Sequence, residues 1–343
     1  FIWDIVEDAR QDLWIAVRDG GLARWQRRTD TFTIWRHDPA NPDSLASDGV
    51  RNVLIDGQGR VWVGTNGAGI DILDPLTGRI QHLRHRAGDA ASLSGDRIFA
   101  LTLSRAGDVW IGTHAGLDVW RAEGQALSRF GPAAGAAGSL DGKQISQVLE
   151  AADGSLWVGT FDVGLVHLDR DGRVLQTFRQ GEQPHSLPSN DVRALLEDRG
   201  GRLWVGTADG LALLNRSDGR FTRFRRVESS PDSLADSYVM SLYEDQAGLL
   251  WIGTRTGGVS RWNPRSWEFG GRRPKWVGSG PVTAFADTRD HRVWIASLYG
   301  GLVLTVGIDQ PRVKRIPVPP GVLAVGGALS VPFNDTEAVR KAF

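Results

Sequence analysis

The side chains of this sequence best suited to chemistry stand at two fixed places relative to a tryptophan that recurs seven times, at Trp14, Trp62, Trp110, Trp157, Trp204, Trp251 and Trp294. Four to six residues after these tryptophans come Arg18 and Asp19, Asn66, His114, Phe161 and Asp162, Asp209, Arg255 and Tyr299. Just before the apolar run that precedes each tryptophan stand Asp48, Arg97, Lys143 with Gln144, Asn190 with Asp191, and Tyr238. The frame is constant while these positions vary, so they are free to serve a ligand. Cations, carboxylates, amides and aromatic faces around one opening would suit a small polar organic molecule, saccharide-like or peptide-like.

Catalytic chemistry finds less support. The sequence contains no G-x-S-x-G, H-E-x-x-H or G-x-G-x-x-G. GAAGSLDGKQ departs from a phosphate-binding loop at Ala137 and Gln144. DRDG, from Asp169 to Gly172, opens like a calcium loop, yet the matching turns elsewhere read TDT, LTG and SDG, and a hairpin accounts for all of them. With no cysteine, disulfides, zinc–thiolate centres, iron–sulfur clusters and cysteine nucleophiles are excluded. His114 is the only histidine in a variable slot; His82, His85, His167, His185 and His291 follow no spacing, and no HxH or HxxxH occurs. Neither a metal nor a cofactor is expected. Forty basic residues balance forty acidic ones, so no global field draws the protein to nucleic acid, and no apolar run is long enough to span a membrane.

The elements that must carry these residues follow from the repeat. The tryptophans are separated by 48, 48, 47, 47, 47 and 43 residues, within LWIAV, VWVGT, VWIGT, LWVGT, LWVGT, LWIGT and VWIAS. A Gly-Leu-like pair follows each, and a Ser-Leu pair precedes five, its leucine at Leu45, Leu93, Leu140, Leu187 and Leu234. Each unit reads as four short strands, A before the tryptophan, B through it, and C and D after it, split by turns rich in Gly, Asp, Asn and Pro. Four-stranded units of this length are the blades of a β-propeller, so the fold class is all-β, with seven antiparallel blades over residues 1–320. The indole should fill the wedge between blades, and the glycine two residues on should admit the neighbouring backbone. Asp8, Asp56, Asp198 and Asp245, each six residues before its tryptophan, should cap the A–B turn. In such a blade the A–B and C–D turns share one end, and the variable B–C and D–A loops share the other.

The last 23 residues, 321–343, form a tail in which Asn334 and Glu337 allow a short helix, or Ala328 to Ser330 the start of a truncated further repeat. Because the sequence begins on strand A, no outer strand is supplied to latch the ring, and a fragment of a larger protein is expected.

The apolar A strand ending in Glu-Asp or Asp, the Gly turn, LWIGT or LWVGT, the Gly-Leu pair and the long loop ending in Ser-Leu together resemble the two-component regulator propeller repeat. This resemblance implies the extracytoplasmic, periplasmic sensing region of a bacterial hybrid histidine kinase or diguanylate cyclase, membrane-anchored when full-length and able to form a homodimer. It implies a non-catalytic domain that binds a small polar ligand or a protein partner on the loop-rich face. The alternatives are a propeller enzyme, a hydrolase or a lyase resembling the streptogramin-cleaving propellers, for which His114, Asp162 and Asp209 are the only raw material, and a scaffold that binds only protein. The pattern also resembles the sialidase Asp box, with the aspartate one residue farther from the tryptophan, and there it is a turn device.

Overall fold

The structure, a computed structural model, describes residues 2–131, 138–230, 232–264, 268–271, 280–288, 292–297, 301–304 and 314–316. Tyr299 and the tail 321–343 lie outside the described residues. The chain forms seven antiparallel sheets, each of four strands in sequence order. It is a seven-bladed β-propeller. Blade one comprises strands A to D at Ile2–Glu7, Leu13–Val17, Gly21–Gln26 and Thr31–Trp35; blade seven comprises Val282–Asp287, Val293–Ser297, Gly301–Leu304 and Lys314–Ile316. The A strands are innermost and pack against one another around the axis, blade seven against blade one included.

Burial explains the residue choices. Strand B is buried along its whole length in every blade, which is why it reads as a continuous apolar run, whereas strand D of blade one is mostly exposed. The apolar residues do not form one central core. They form seven clusters among the described residues, one for each pair of neighbouring blades, and each contains the strand B tryptophan of one blade packed on the next. Trp62, for example, meets Ile98, Ile111 and Trp120 of blade three, its ring edge-on to Trp120 at 5.7 Å. The glycine two residues after the tryptophan belongs to the same contact: a Cβ on Gly206 would stand 2.6 Å from Val239 Cγ1 of the next A strand. The leucine of each Ser-Leu pair is buried in these wedges too.

Among the described residues the ring closes without an outer latch strand. Trp294 and Ala296 of blade seven pack against Ile2, Ile5 and Ile15 of blade one, Trp25 meets Trp294 edge-on at 5.6 Å, and the Thr283 hydroxyl donates to the Ile2 carbonyl at 2.9 Å.

The aspartate before each tryptophan does more than cap a turn. In blade five Asp198 Oδ1 accepts the Arg202 backbone N–H at 2.9 Å, as a turn cap should, while Oδ2 accepts the Trp204 indole Nε1–H at 2.8 Å. The same indole bond occurs between Trp14 and Asp8 at 3.1 Å, Trp62 and Asp56 at 2.9 Å, and Trp251 and Asp245 at 2.7 Å. Blades three, four and seven carry Ser104, Ala151 and Thr288 there, and in these three the indole nitrogens of Trp110, Trp157 and Trp294 have no acceptor among the described residues. Ser104 and Thr288 still accept the backbone N–H four residues on. Their hydroxyls reproduce the turn cap and leave out the staple to the wedge.

Two substitutions measure the staple. Asp198→Ala strands a buried N–H and is expected to lower the free energy of unfolding by about 1–3 kcal/mol. Thr288→Asp creates the arrangement that Asp56 and Asp198 make with Arg60 and Arg202, since Arg292 stands four residues on, and is expected to raise stability by about 1 kcal/mol. Urea unfolding of the three proteins checks both, and a Thr288→Asp protein no more stable than the parent would refute the role given to the indole bond.

Candidate functional site

The long D–A loops are held in place by their own residues. The Ser44 hydroxyl of the first Ser-Leu pair accepts the Asp38 N–H at 2.9 Å and donates to the Asp38 carbonyl; Ser92 and Ser233 close their loops in the same way on Arg86 and Val227. A second bond pins the start of each loop to its end, from His37 N–H to Asp48 Oδ1 at 2.8 Å, His85 N–H to Asp96 Oδ1 at 2.7 Å, Gln180 N–H to Asn190 Oδ1 at 2.8 Å and Arg226 N–H to Ser237 Oγ at 3.0 Å. Asp48 and Asn190 therefore serve the loops that carry them. A third bond ties the loop to the following blade: Asp71 accepts the Ala46 N–H, and Asp118 Oδ2 accepts both the N–H and the hydroxyl of Ser94 at 2.8 Å. Asp118 is wholly buried, and burial pushes its carboxyl up to about 6 although the Ser94 bonds and the charges of Arg129 and His85 act the other way.

The two sets of variable residues form one ring. In each of five blades the first residue after strand B donates its backbone N–H to the carbonyl of the residue just before strand A: Asn66 to Gly49, His114 to Arg97, Phe161 to Gln144, Ala208 to Asp191 and Arg255 to Tyr238, at 2.8 to 3.2 Å. This ring surrounds the loop-rich mouth of the central channel.

At the mouth the A strands share a further feature. The pairing of A with B slips at the second A residue in all seven blades, a β-bulge that re-aims that side chain. The bulged residues are Trp3, Arg51, Phe99, Ser146, Arg193, Met240 and Thr283. Five of them reach across blade boundaries, Thr283 through its bond to the Ile2 carbonyl and the other four through rings and guanidiniums. The Arg51 guanidinium lies 5.0 Å from the Trp3 ring centre and 4.6 Å from that of Phe99; Phe99 meets Phe161 edge-on at 4.9 Å. The Arg193 guanidinium lies 4.4 Å from Phe161 and 5.4 Å from Tyr238, and that of Arg255 lies 5.0 Å from Tyr238 on the far side. Aromatic rings and guanidiniums thus run in a continuous arc from blade one to blade six. One residue further down strand A, Asp4 accepts the N–H groups of Ile5 and Val53 and is pushed up to about 7 by burial.

Of the residues singled out in the sequence, the structure brings Phe161, Tyr238 and Arg255 together around Arg193. Arg18 and Asp19 pair with each other at 3.4 Å on the exposed rim of blade one, and Asp209 pairs with Arg225 at 2.6 Å. Arg97, His114 and Asp162 are exposed and Asn66 is exposed beside them, while Lys143 is half-buried. His114 Nδ1 accepts the Arg97 N–H at 3.4 Å and meets no carboxylate among the described residues. The sequence reading missed Trp3, Arg51, Phe99 and Arg193. Its available signal was an arginine interrupting an apolar run, in VRNVLI and VRALLE.

A cavity of about 100 Å³ lies between blades four and five at the opposite end, where the A–B and C–D turns gather, lined by Asp153, Ser155, Trp157, His167 and Arg216 among others. The Ser155 hydroxyl donates to Asp153 Oδ1 at 2.6 Å, so the His167 Nε2–H, at 2.9 Å, must donate to Ser155 Oγ. The carboxylate holds the serine proton instead of orienting the histidine, which is the reverse of a nucleophile relay. Among the described residues no group of three or more His, Asp or Glu side chains is placed to hold a metal ion, and no helix is long and apolar enough to cross a membrane.

Comparison with known proteins adds two findings. The family model "two component regulator propeller" matches residues 44–67, 139–162, 186–209 and 233–256, windows that run from the Ser-Leu pair through strand A to the slot after strand B. Among solved structures, the extracellular domain ascribed to a hybrid two-component system of B. thetaiotaomicron matches with a TM-score of 0.74 and 22% identity over 89% of this chain, and virginiamycin B lyase from Staphylococcus aureus with 0.63 and 14% over 88%. The chain spans 39% of the length of the former and 93% of the latter. No curated protein matches the sequence.

Asp118 makes the loop framework pH-dependent. A carboxyl raised by folding binds its proton more tightly in the folded state, so the stability it lends is complete below about pH 4 and is lost as the pH rises through about 6. In Asp118→Asn the fall in unfolding free energy between pH 4 and 6 is expected to be shallower, and the variant is expected to gain on the parent toward pH 7. Denaturation at a series of pH values tests this; parallel curves would contradict it.

Proposed function

Since the chain carries two-component regulator propeller repeats, we propose that it is a sensing domain of a bacterial signal-transduction protein, placed outside the cytoplasm, which binds a small polar ligand at the loop-rich mouth of the channel. The observation that carries this reading is the arc of aromatic rings and guanidiniums from Trp3 to Arg255, borne on bulged inner strands and on loops clamped at three points. Such a surface is built before the ligand arrives, which spares the ordering cost of binding. Likeness to a domain ascribed to a hybrid two-component system supports the same reading.

The domain acts by binding and not by turnover. A lyase at this mouth would need a histidine positioned by an acid, whereas His114 contacts the Arg97 backbone and Asp209 is taken by Arg225. A scaffold would need a contiguous apolar face, whereas among the described residues the exposed large apolar side chains Ile34, Leu76, Leu175 and Val227 stand apart on different blades or loops. Because the blades are rigid, ligand binding is passed on through changed packing against neighbouring domains or a second copy.

A thermal-shift panel of saccharides and short peptides tests the reading, with Arg255→Ala and Tyr238→Ala beside the parent. A ligand present at about a hundred times its Kd adds roughly 2.7 kcal/mol. The expected result is a compound that raises the parent's melting temperature, raises that of the variants less, and is recovered chemically unchanged. Consumption of the compound would turn the reading toward an enzyme, and a panel with no effect on the parent would remove the small-molecule reading.

A further inference from the structure

Two arginines of the mouth are built alike and differ in one respect. Arg193, at the bulge of blade five, lies between Phe161 and Tyr238 and pairs with the carboxylate of Asp191, two residues earlier: Nη2 donates to Oδ2 at 2.7 Å, and Nε stands 2.6 Å from Oδ1 at an angle that makes it an ion pair and not a second hydrogen bond. Arg51, at the same bulge of blade two, lies between Trp3 and Phe99, and the residue two positions earlier is Gly49. Its guanidinium makes no hydrogen bond or ion pair with any described residue. With two aromatic rings within 5.0 Å of the guanidinium carbon and no polar partner, the N–H groups are the unfilled positions, a fork that matches the two oxygens of a carboxylate or the oxygens of a sulfate.

We propose that the mouth takes its ligand by an oxyanion, a carboxylate or sulfate group bound edge-on by Arg51 in the place that Asp191 occupies on Arg193. This deepens the sensing reading and rests on it. The surroundings favour an anion: burial first, and then the like charges of Arg193 and Arg97, push the Arg51 guanidinium down to about 10, so it stays charged at neutral pH, and the counter-ion nearby, Asp191, is taken by Arg193. Arg97, before strand A of blade three, and Arg255, at the blade-six end of the arc, have no ion pair among the described residues either, so a ligand lying along the arc meets further positive charge. The ligand class is therefore a small acidic molecule, such as a uronic acid or a sulfated sugar, rather than a neutral one.

Gly49→Asp gives the test. Gly49 does not occupy the left-handed region, and a Cβ there would meet Asn66 Cβ at 3.8 Å and Ser47 Oγ at 3.3 Å, a contact relieved when the serine hydroxyl shifts by a few tenths of an ångström, so an aspartate can be seated there and should supply Arg51 with the internal counter-ion that Arg193 already has. The arginine Nε–H resonance lost in Arg51→Gln is followed by nitrogen-15 NMR while glucuronate, inorganic sulfate or glucose is titrated at constant ionic strength. The expected result is a saturable shift of that resonance with glucuronate or sulfate and none with glucose, and affinity lower by on the order of ten- to hundredfold in Gly49→Asp and in Arg51→Gln at unchanged melting temperature. Comparing the two anions identifies the source of the oxyanion. A resonance that neither anion moves, or a Gly49→Asp protein that binds as the parent does, overturns the proposal. If glucose or a peptide binds the mouth while the Arg51 resonance stays still, the oxyanion proposal falls and the sensing reading stands.

Discussion

The structure depends on a tryptophan wedged between blades. A propeller has no common centre in which apolar side chains can meet, so its hydrophobic stabilisation must be distributed among the interfaces, and each of the seven clusters is organised around a strand B indole. A side chain this wide fills the splayed gap between two twisted sheets, but it brings a polar N–H into a dry place. The aspartate of the A–B turn meets that demand in four blades by using one carboxylate oxygen for the turn and the other for the indole. Local turn chemistry and tertiary packing are thereby joined in a single residue.

From that frame the mouth inherits its rigidity. The leucine of the Ser-Leu pair is buried in a wedge, the serine ties the long loop to itself, and Asp71 or Asp118 ties it to the next blade. A loop of a dozen residues that would otherwise sample many conformations is reduced to few, so the groups it carries meet a ligand in place. The bulge contributes in the same direction. It departs from strand alternation at one residue per blade where the seven inner strands pack on one another, and that packing brings residues distant in sequence, such as Trp3 and Arg51 or Phe161 and Arg193, into ring-over-guanidinium contact.

Much of this was legible in the sequence because it is periodic. The interval between tryptophans fixes the number of blades, the glycine two residues on marks the close approach to the next A strand, and Asp56 or Asp198 reads as a turn residue from its neighbours alone. The indole bond of the same aspartates was not legible, since it joins residues six apart through the orientation of a side chain that only packing sets. Trp3, Arg51, Phe99 and Arg193 were hidden for a related reason: strand alternation assigns a face to every residue, and a bulge is a departure from alternation decided by the partner strand. Asp48 and Asn190 show the converse. The spacing offers both to a ligand, yet their carboxylate and amide oxygens are engaged by the N–H groups of His37 and Gln180.

The join between blades seven and one differs from the other six in kind. Elsewhere the polypeptide passes directly from one blade to the next, so two neighbours are linked by peptide bonds as well as by packing. At this join the described residues meet through side-chain packing, Trp294, Ala284, Ala286 and Ala296 against Ile2, Ile5 and Ala23, and through the bond from the Thr283 hydroxyl to the Ile2 carbonyl. The ring is thus mechanically a split washer. Among the described residues, a load applied between Ile2, on an inner strand, and Ile316, on an outer one, falls at that seam on side-chain packing and one hydrogen bond, with no backbone pairing to share it.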